Sequence, residues 1–169
     1  MIEIRPAEIT DLPQIVEIYN QAINEGQCTA DTEVLSLEER LEWFKSHNAK
    51  NYPLLVAKED SVVLGYLTIS AYRYGRKALR HTAEVSYYIH FDHHRKGVAS
   101  HLIDTAISMC PSLKVNTLVA ILIGCNQGSI ELLKKYGFIE WGRLPKIVEF
   151  GSGSGYKKFD HLYYGLHLD

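Results

Sequence analysis

The sequence predicts an α/β fold: one domain, residues 1–169, with a central mixed, mostly antiparallel sheet flanked by helices. Three observations carry that reading. Apolar residues recur at helical spacing in four stretches and at strand spacing in the rest. The order is strand, two helices, three adjacent strands, helix, strand, helix, two strands. A strand runs straight into a helix through a basic, glycine-containing turn, Glu84 to Ser100.

The elements follow in order. Ile2 and Ile4 mark a short strand stopped by Pro6. Thr10 or Asp11 caps a helix with Pro13 in its first turn; Leu12, Ile15, Val16, Ile18, Tyr19, Ala22 and Ile23 form its buried stripe, and Gly26 ends it. Gln27 to Leu35 shows no periodicity and reads as a loop able to close over a ligand. Ser36 with Glu39 is a capping box for a helix to about His47, with Leu37, Leu41 and Phe44 inward. Leu54–Lys58 and Val62–Ala71 form a hairpin, in which Gly65 signals a bulge or a close backbone contact.

Arg80 to Phe91 reads as the third adjacent strand, and the helix after it ends near Pro111. Val115 to Ile123 is apolar throughout, as expected for a strand covered on both faces. Asn126 or Ser129 starts a helix that Gly137 stops. Phe138–Trp141 and Ile147–Phe150 are strand pieces around Pro145, and a Gly-Ser tip, Gly151 to Gly155, leads to a last strand, Phe159 to Leu168. That strand's aromatic residues offer a pairing surface.

Composition narrows the function. A hydrophobic fraction of 46% and a charged fraction of 22% are those of a globular chain. A net charge of −2 argues against nucleic acid as a partner, so an anionic ligand must be met locally. The three cysteines, Cys28, Cys110 and Cys125, are far apart and in no metal spacing, which favours free thiols in the cytoplasm. No apolar run is long enough to cross a bilayer, so no membrane partner is expected.

The strand-to-helix junction is where local anion binding belongs. Such a turn aims backbone N–H groups and the positive end of a helix dipole at one point, and Arg95 and Lys96 add charge. Gly97 lets a ligand approach the backbone closely. The cluster His90, Asp92, His93 and His94 is dense enough to suggest a metal, but strand alternation separates neighbours and no second ligand group sits at helical spacing, so none is expected. Cys125, at the end of an apolar strand, reads as packing rather than a nucleophile.

Across its whole length this pattern resembles the GNAT superfamily of acetyl-CoA-dependent N-acetyltransferases, and within it the phosphinothricin and methionine sulfoximine acetyltransferases. The residues carrying the likeness are Ile4-Arg5-Pro6-Ala7 with Asp11-Leu12, Asp31-Thr32-Glu33, Arg80-His81-Thr82-Ala83-Glu84 leading to Tyr87, and His93 to Ala99. To these are added Asn126 with Ser129, Tyr136-Gly137-Phe138 and Gly155-Tyr156-Lys157. In the superfamily turn, Gly97 and Ala99 fit, and His94 stands where Gln or Arg is usual.

The resemblance implies that acetyl-CoA is the co-substrate. Its pyrophosphate would lie on the backbone of His94, Arg95, Lys96, Gly97, Val98, Ala99 and Ser100, with Asn126 and Ser129 nearby, and its pantetheine arm along Tyr88, Ile89 and His90. Glu84 would be the general base, because an alkylammonium must lose a proton before nitrogen can attack. Ala30, Arg80, Tyr87 and Lys157 match positions near the acceptor, with Arg80 able to grip a carboxylate. Ala30 departs from the family's aromatic, and Leu133 stands where a His or Tyr would protonate the leaving thiolate. Tyr136, one turn on, could substitute, though it also reads as packing. The implied acceptor is the primary amine of a small molecule such as an amino acid, and the implied assembly a homodimer. The rival readings are a non-catalytic acyl-CoA-binding module and a protein N-terminal acetyltransferase.

Overall fold

The computed structural model describes residues 1–151 and 155–168. Seven strands form one sheet: β1 (Glu3–Pro6), β2 (Leu54–Glu59), β3 (Val62–Ala71), β4 (Thr82–Ile89), β5 (Thr117–Ile123), β6 (Ile139–Phe150) and β7 (Lys157–His167). Their spatial order is β1-β2-β3-β4-β5-β7-β6, and only the β4–β5 pair is parallel. Helices α1 (Leu12–Glu25) and α2 (Leu37–Ser46) cover one face; α3 (Val98–Met109) packs on the other, the side on which α4 (Gln127–Lys135) adds to the core.

The stripe expected for α1 is buried as a set, against Leu54, Val56, Val63 and Tyr66. Each fully buried Leu, Ile or Val contributes roughly 1.5–3 kcal/mol, which fixes the helix on β2 and β3. Asp11 stands before α1, but its side chain does not cap the helix. It is 1% exposed and accepts two hydrogen bonds from Arg5 (2.8 and 3.1 Å), one from Lys58 (3.2 Å) and one from the Glu8 amide (2.9 Å). Burial pushes its pKa up, but these donors together hold it below the usual carboxylate value. Asp11 thus ties β1 and β2 to the start of α1.

Helix α2 forms as predicted, with Ser36 and Glu39 in a reciprocal capping box; of its expected inward residues Phe44 packs on the sheet and Leu37 does not. Leu37 is 47% exposed, whereas Trp43 and Phe44 pack on the sheet, Trp43 against the Tyr66 ring. The loop before it is strapped to α1 rather than free to close: Asn20 makes two 2.9 Å hydrogen bonds with the Leu35 backbone, and Tyr19 bonds both Thr29 and Asp31.

Gly65 is both things its position suggested. The register slips between Ala57 and Lys58, so Leu64 is an extra residue in β3. A Cβ at Gly65 would come within 2.9 Å of the Tyr88 carbonyl oxygen, so its absence lets β3 and β4 approach closely.

Two expectations about the end of the chain are corrected. The pieces around Pro145 form one strand, β6, with irregularities beside Gly142 and before Val148. The final strand lies inside the sheet between β5 and β6, so Leu162 and Tyr164 are buried; the exposed apolar residues, Ile139, Trp141, Leu144 and Ile147, belong to β6. The centre of the predicted Gly-Ser tip, 152–154, falls outside the described residues.

Replacing Asp11 with Asn should cost about 2 kcal/mol at pH 7, because charge-assisted hydrogen bonds are lost. Since folding lowers this pKa, the contribution is present above the unfolded value and vanishes as pH falls through the folded one. Urea unfolding of both proteins from pH 7 into acid measures this: the gap should be full at pH 7 and narrow only once pH has fallen below the ordinary carboxylate value.

Candidate active site

The site originates in one interruption of the sheet. Strands β4 and β5 pair through Thr82↔Thr117, Ala83↔Leu118 and Glu84↔Val119, and no further. β4 then continues to Ile89 alongside β3, and β5 to Ile123 alongside β7. A cleft of about 600 Å³ occupies the gap, walled by Val85–Ile89, Ala120–Leu122, the start of α4 and the turn before α3.

The turn is shaped for an anion. Arg95 and Gly97 both have positive φ, 59° and 80°. The His94 ring makes a 3.0 Å hydrogen bond to the Ile89 carbonyl, closing the turn. Gly97 is the N-cap of α3, and no side chain caps that helix, whereas Ser36 caps α2 and Asn126 caps α4. The first amides of α3 have no partner within the helix, and Gly97–Ser100 line the cleft. Backbone donors and a helix dipole converge there without a competing side chain.

Glu84 is the last paired residue before the strands part, one place ahead of Val85, where the cleft wall begins. It is half-buried; burial raises its pKa, partly offset by Ser86, whose hydroxyl donates to it at 3.5 Å. Strand alternation puts Glu84, Ser86 and Tyr88 on the α1/α2 face. Tyr88 packs there against Tyr19 and Tyr66. On the same face Ser70, opposite Glu84 in β3, lies 3.4 Å from His47 Nε2, and the Arg40 guanidinium stacks between Tyr19 and Trp43, at 4.4 and 3.8 Å from their ring centres.

The other predicted residues divide. His94, Arg95, Gly97, Val98, Ala99, Ser100, Asn126, Ser129, Tyr87, Tyr88 and Ile89 line the cleft; Lys96, exposed, adjoins it. Asn126 Oδ1 accepts from the Ser129 amide at 3.2 Å, so its carbonyl oxygen is engaged in the α4 cap. His90 turns away: its amide bonds the Leu64 carbonyl and its ring lies against Gln21. Tyr87 shares a strand with Glu84 but points to the opposite face, among the α3 core. Ala30, Arg80 and Lys157 are exposed and outside the cleft wall, and Arg80 donates to the Lys77 carbonyl in its own turn. Leu133 is buried, and Tyr136 donates to the Ser100 carbonyl, tying α4 to α3. No group of three metal-ligating side chains occurs among the described residues.

Sequence reasoning missed Arg40, Ser70, Ser86 and the parting itself. Ser86 was within reach, since a residue two along a strand shares its face. The stacked Arg40 depends on how α2 lies across β3, which no local pattern encodes.

A parallel pair that separates at a half-buried carboxylate, next to an uncapped helix start, suits an enzyme that holds an anionic ligand. Residues 13–138 match the acetyltransferase (GNAT) family, and the chain belongs to it. It is an acetyltransferase of the kind that uses acetyl-CoA as acyl donor. It is 39% identical over 166 residues to YwnH of Bacillus subtilis (strain 168), named as a candidate phosphinothricin acetyltransferase, covering 98% of each chain. It is 31% identical to an L-methionine sulfoximine/L-methionine sulfone acetyltransferase of Salmonella typhimurium, covering 88% of this chain and 86% of that one. A solved phosphinothricin acetyltransferase from Sinorhizobium meliloti, in complex with acetyl-CoA, superposes with a TM-score of 0.89 at 28% identity, over 99% of this chain and 88% of that one.

The three cysteines are free. Burial, then Glu25, pushes the Cys28 thiol up to about 12, and burial also raises Cys125. Alkylation of the native protein at pH 8 should therefore be slow: the Cys28 thiolate fraction should be roughly a thousandfold below that of an ordinary cysteine. Mass-spectrometric mapping after brief iodoacetamide treatment checks this.

Proposed function

We propose that this chain transfers the acetyl group of acetyl-CoA to the primary amine of a small molecule, an amino acid or analogue such as phosphinothricin or methionine sulfone. The single observation that carries the reading is the cleft between β4 and β5, with Glu84 one place ahead of its wall and the uncapped start of α3 at its mouth. The names of the relatives support the acceptor class.

The amides of His94 to Ser100 hold the pyrophosphate, and the free edge of β4 past Glu84 pairs with the pantetheine arm. Acetyl-CoA supplies the thioester. A β4 amide polarises its carbonyl. Glu84 takes the amine proton, directly or through a water, and its raised pKa makes it a better base. By the family resemblance Arg80 and Lys157 serve the acceptor, which then approaches from outside the cleft wall, and Ala30 stands in the neighbouring loop where relatives carry an aromatic. The whole chain acts as one domain in the cytoplasm, as its free thiols suit. Pairing as a homodimer uses the exposed apolar residues of β6, Ile139 and Ile147, with Trp141 lying over Gly165 and only partly open to solvent. No described helix is long and apolar enough to cross a membrane.

Glu84→Gln should lower kcat by about 10²–10⁴-fold and leave acetyl-CoA affinity nearly unchanged. Because the base must be ionised, wild-type kcat/KM should rise with pH through a carboxylate pKa above 4.5, and the variant should lack that limb. Wild-type turnover in Glu84→Gln overturns the assignment. Gly97→Ala, forced to hold a φ of 80°, should instead weaken acetyl-CoA binding about fivefold or more, read by calorimetry. A panel of amino acids, methionine sulfone, phosphinothricin, polyamines and peptides, followed by thiol release, tests the acceptor. Turnover of peptides alone would make this an N-terminal acetyltransferase, and acetyl-CoA binding without any turnover would make it a binding module.

A further inference from the structure

His47 closes α2, and its ring is held in one orientation. Nδ1 lies 2.8 Å from the Trp43 carbonyl oxygen, which can only accept, so Nδ1 carries the ring proton and Nε2 presents a lone pair. The Trp43 ring, its centre 4.8 Å from that of the imidazole, packs against it. Ending the helix requires only the Nδ1 bond. The other nitrogen nevertheless faces the sheet, 3.4 Å from the Ser70 hydroxyl, a long contact of the kind that tightens when substrate binds. Burial pushes the His47 pKa down; the Trp43 carbonyl opposes this and the Arg40 charge adds to it, so the ring is neutral near pH 7.

Ser70 stands directly opposite Glu84 in the β3–β4 ladder, and opposite side chains in an antiparallel pair share a face, with Cβ atoms roughly 4.5–5.5 Å apart. The Ser70 hydroxyl is therefore flanked by the carboxylate and by the imidazole, and a side-chain rotation or one water joins all three. No charged group shifts Glu84, whose one side-chain hydrogen bond among the described residues is the 3.5 Å contact from Ser86. A half-buried carboxyl that has taken a proton must lose it before it can serve again, and the Ser86 hydroxyl is no base.

We infer that Ser70 and His47 relay the proton away from Glu84: the carboxyl gives it to the Ser70 oxygen as the Ser70 hydroxyl proton passes to His47 Nε2. This rests on the acetyl-transfer reading above. The O–H bond of the Glu84 carboxyl breaks as one forms on Ser70, the Ser70 O–H bond it replaces breaks as an N–H bond forms on Nε2, and the imidazolium releases a proton to water. Glu84 is left ionised for the next amine. His47 acts through Glu84 and is a positioning residue for the departing proton; the charges facing it are Arg40 on α2 and Glu84 across β3.

The test is kinetic, on the full-length protein carrying His47→Ala, His47→Gln or Ser70→Ala. Each should lower kcat about three- to thirtyfold with the acetyl-CoA KM within about twofold. The double variant His47→Gln/Ser70→Ala should be no slower than the slower single one, because both changes break the same relay. Added imidazole should raise kcat of His47→Ala in proportion to its concentration and leave the wild type unchanged, whereas a ring that only ended the helix would give a loss no buffer repairs. Ser70→Ala, which removes one oxygen, keeps the test decisive should His47→Ala fail to fold. Unchanged kcat in His47→Gln and Ser70→Ala, strictly multiplying losses, or no effect of imidazole on folded His47→Ala would overturn the inference. If Glu84→Gln is slow while these variants match the wild type, this inference alone falls; if Glu84→Gln itself matches the wild type, the base assignment falls first and the relay with it.

Discussion

The parting of β4 from β5 after Glu84 and Val119 is the constraint on which the rest of the molecule depends. β4 stays with β3 to Ile89, where Gly65 admits the Tyr88 carbonyl at a distance no side chain would tolerate. β5 stays with β7 along its whole length, so the two strands diverge, each with its outer partner. Two backbone edges therefore face each other unpaired in the middle of a sheet, where polar groups without partners are costly. A flat, amide-bearing ligand arm is the kind of group that satisfies both.

The same geometry separates chemistry by face. Residues of even number on β4 look toward α1 and α2, and those of odd number toward α3, so a thioester lying in the gap is reached from both sides. The Asp11 network has a quiet part in this, since it fixes β1, β2 and α1 as one body against which the Glu84 face is built.

Much of this was legible in the sequence. The α1 stripe, the Ser36 and Asn126 caps, the Gly65 bulge and the cleft-lining turn each follow from local rules, because each depends on residues within a few positions of one another. What failed depended on distant partners. Leu37 looked inward by spacing, yet α2 lies on the sheet through Trp43 and Phe44. The last strand looked like an edge, yet β6 folds outside it. For the site, alternation alone separates Tyr87 from Glu84, a step that a likeness to other proteins hides. Arg80 and Lys157 were reached by likeness, and the fold leaves both outside the cleft wall.

The bare start of α3 has a consequence for how this chain can change over time. Where α2 and α4 begin with Ser36 and Asn126, α3 begins with Gly97, which stabilises its first turn least. Any side chain there would have to hold a φ of 80° and would stand beside the very amides a phosphate needs. Backbone shape and cofactor affinity thus constrain the same residue, and the first turn of the free helix is left for its ligand to stabilise.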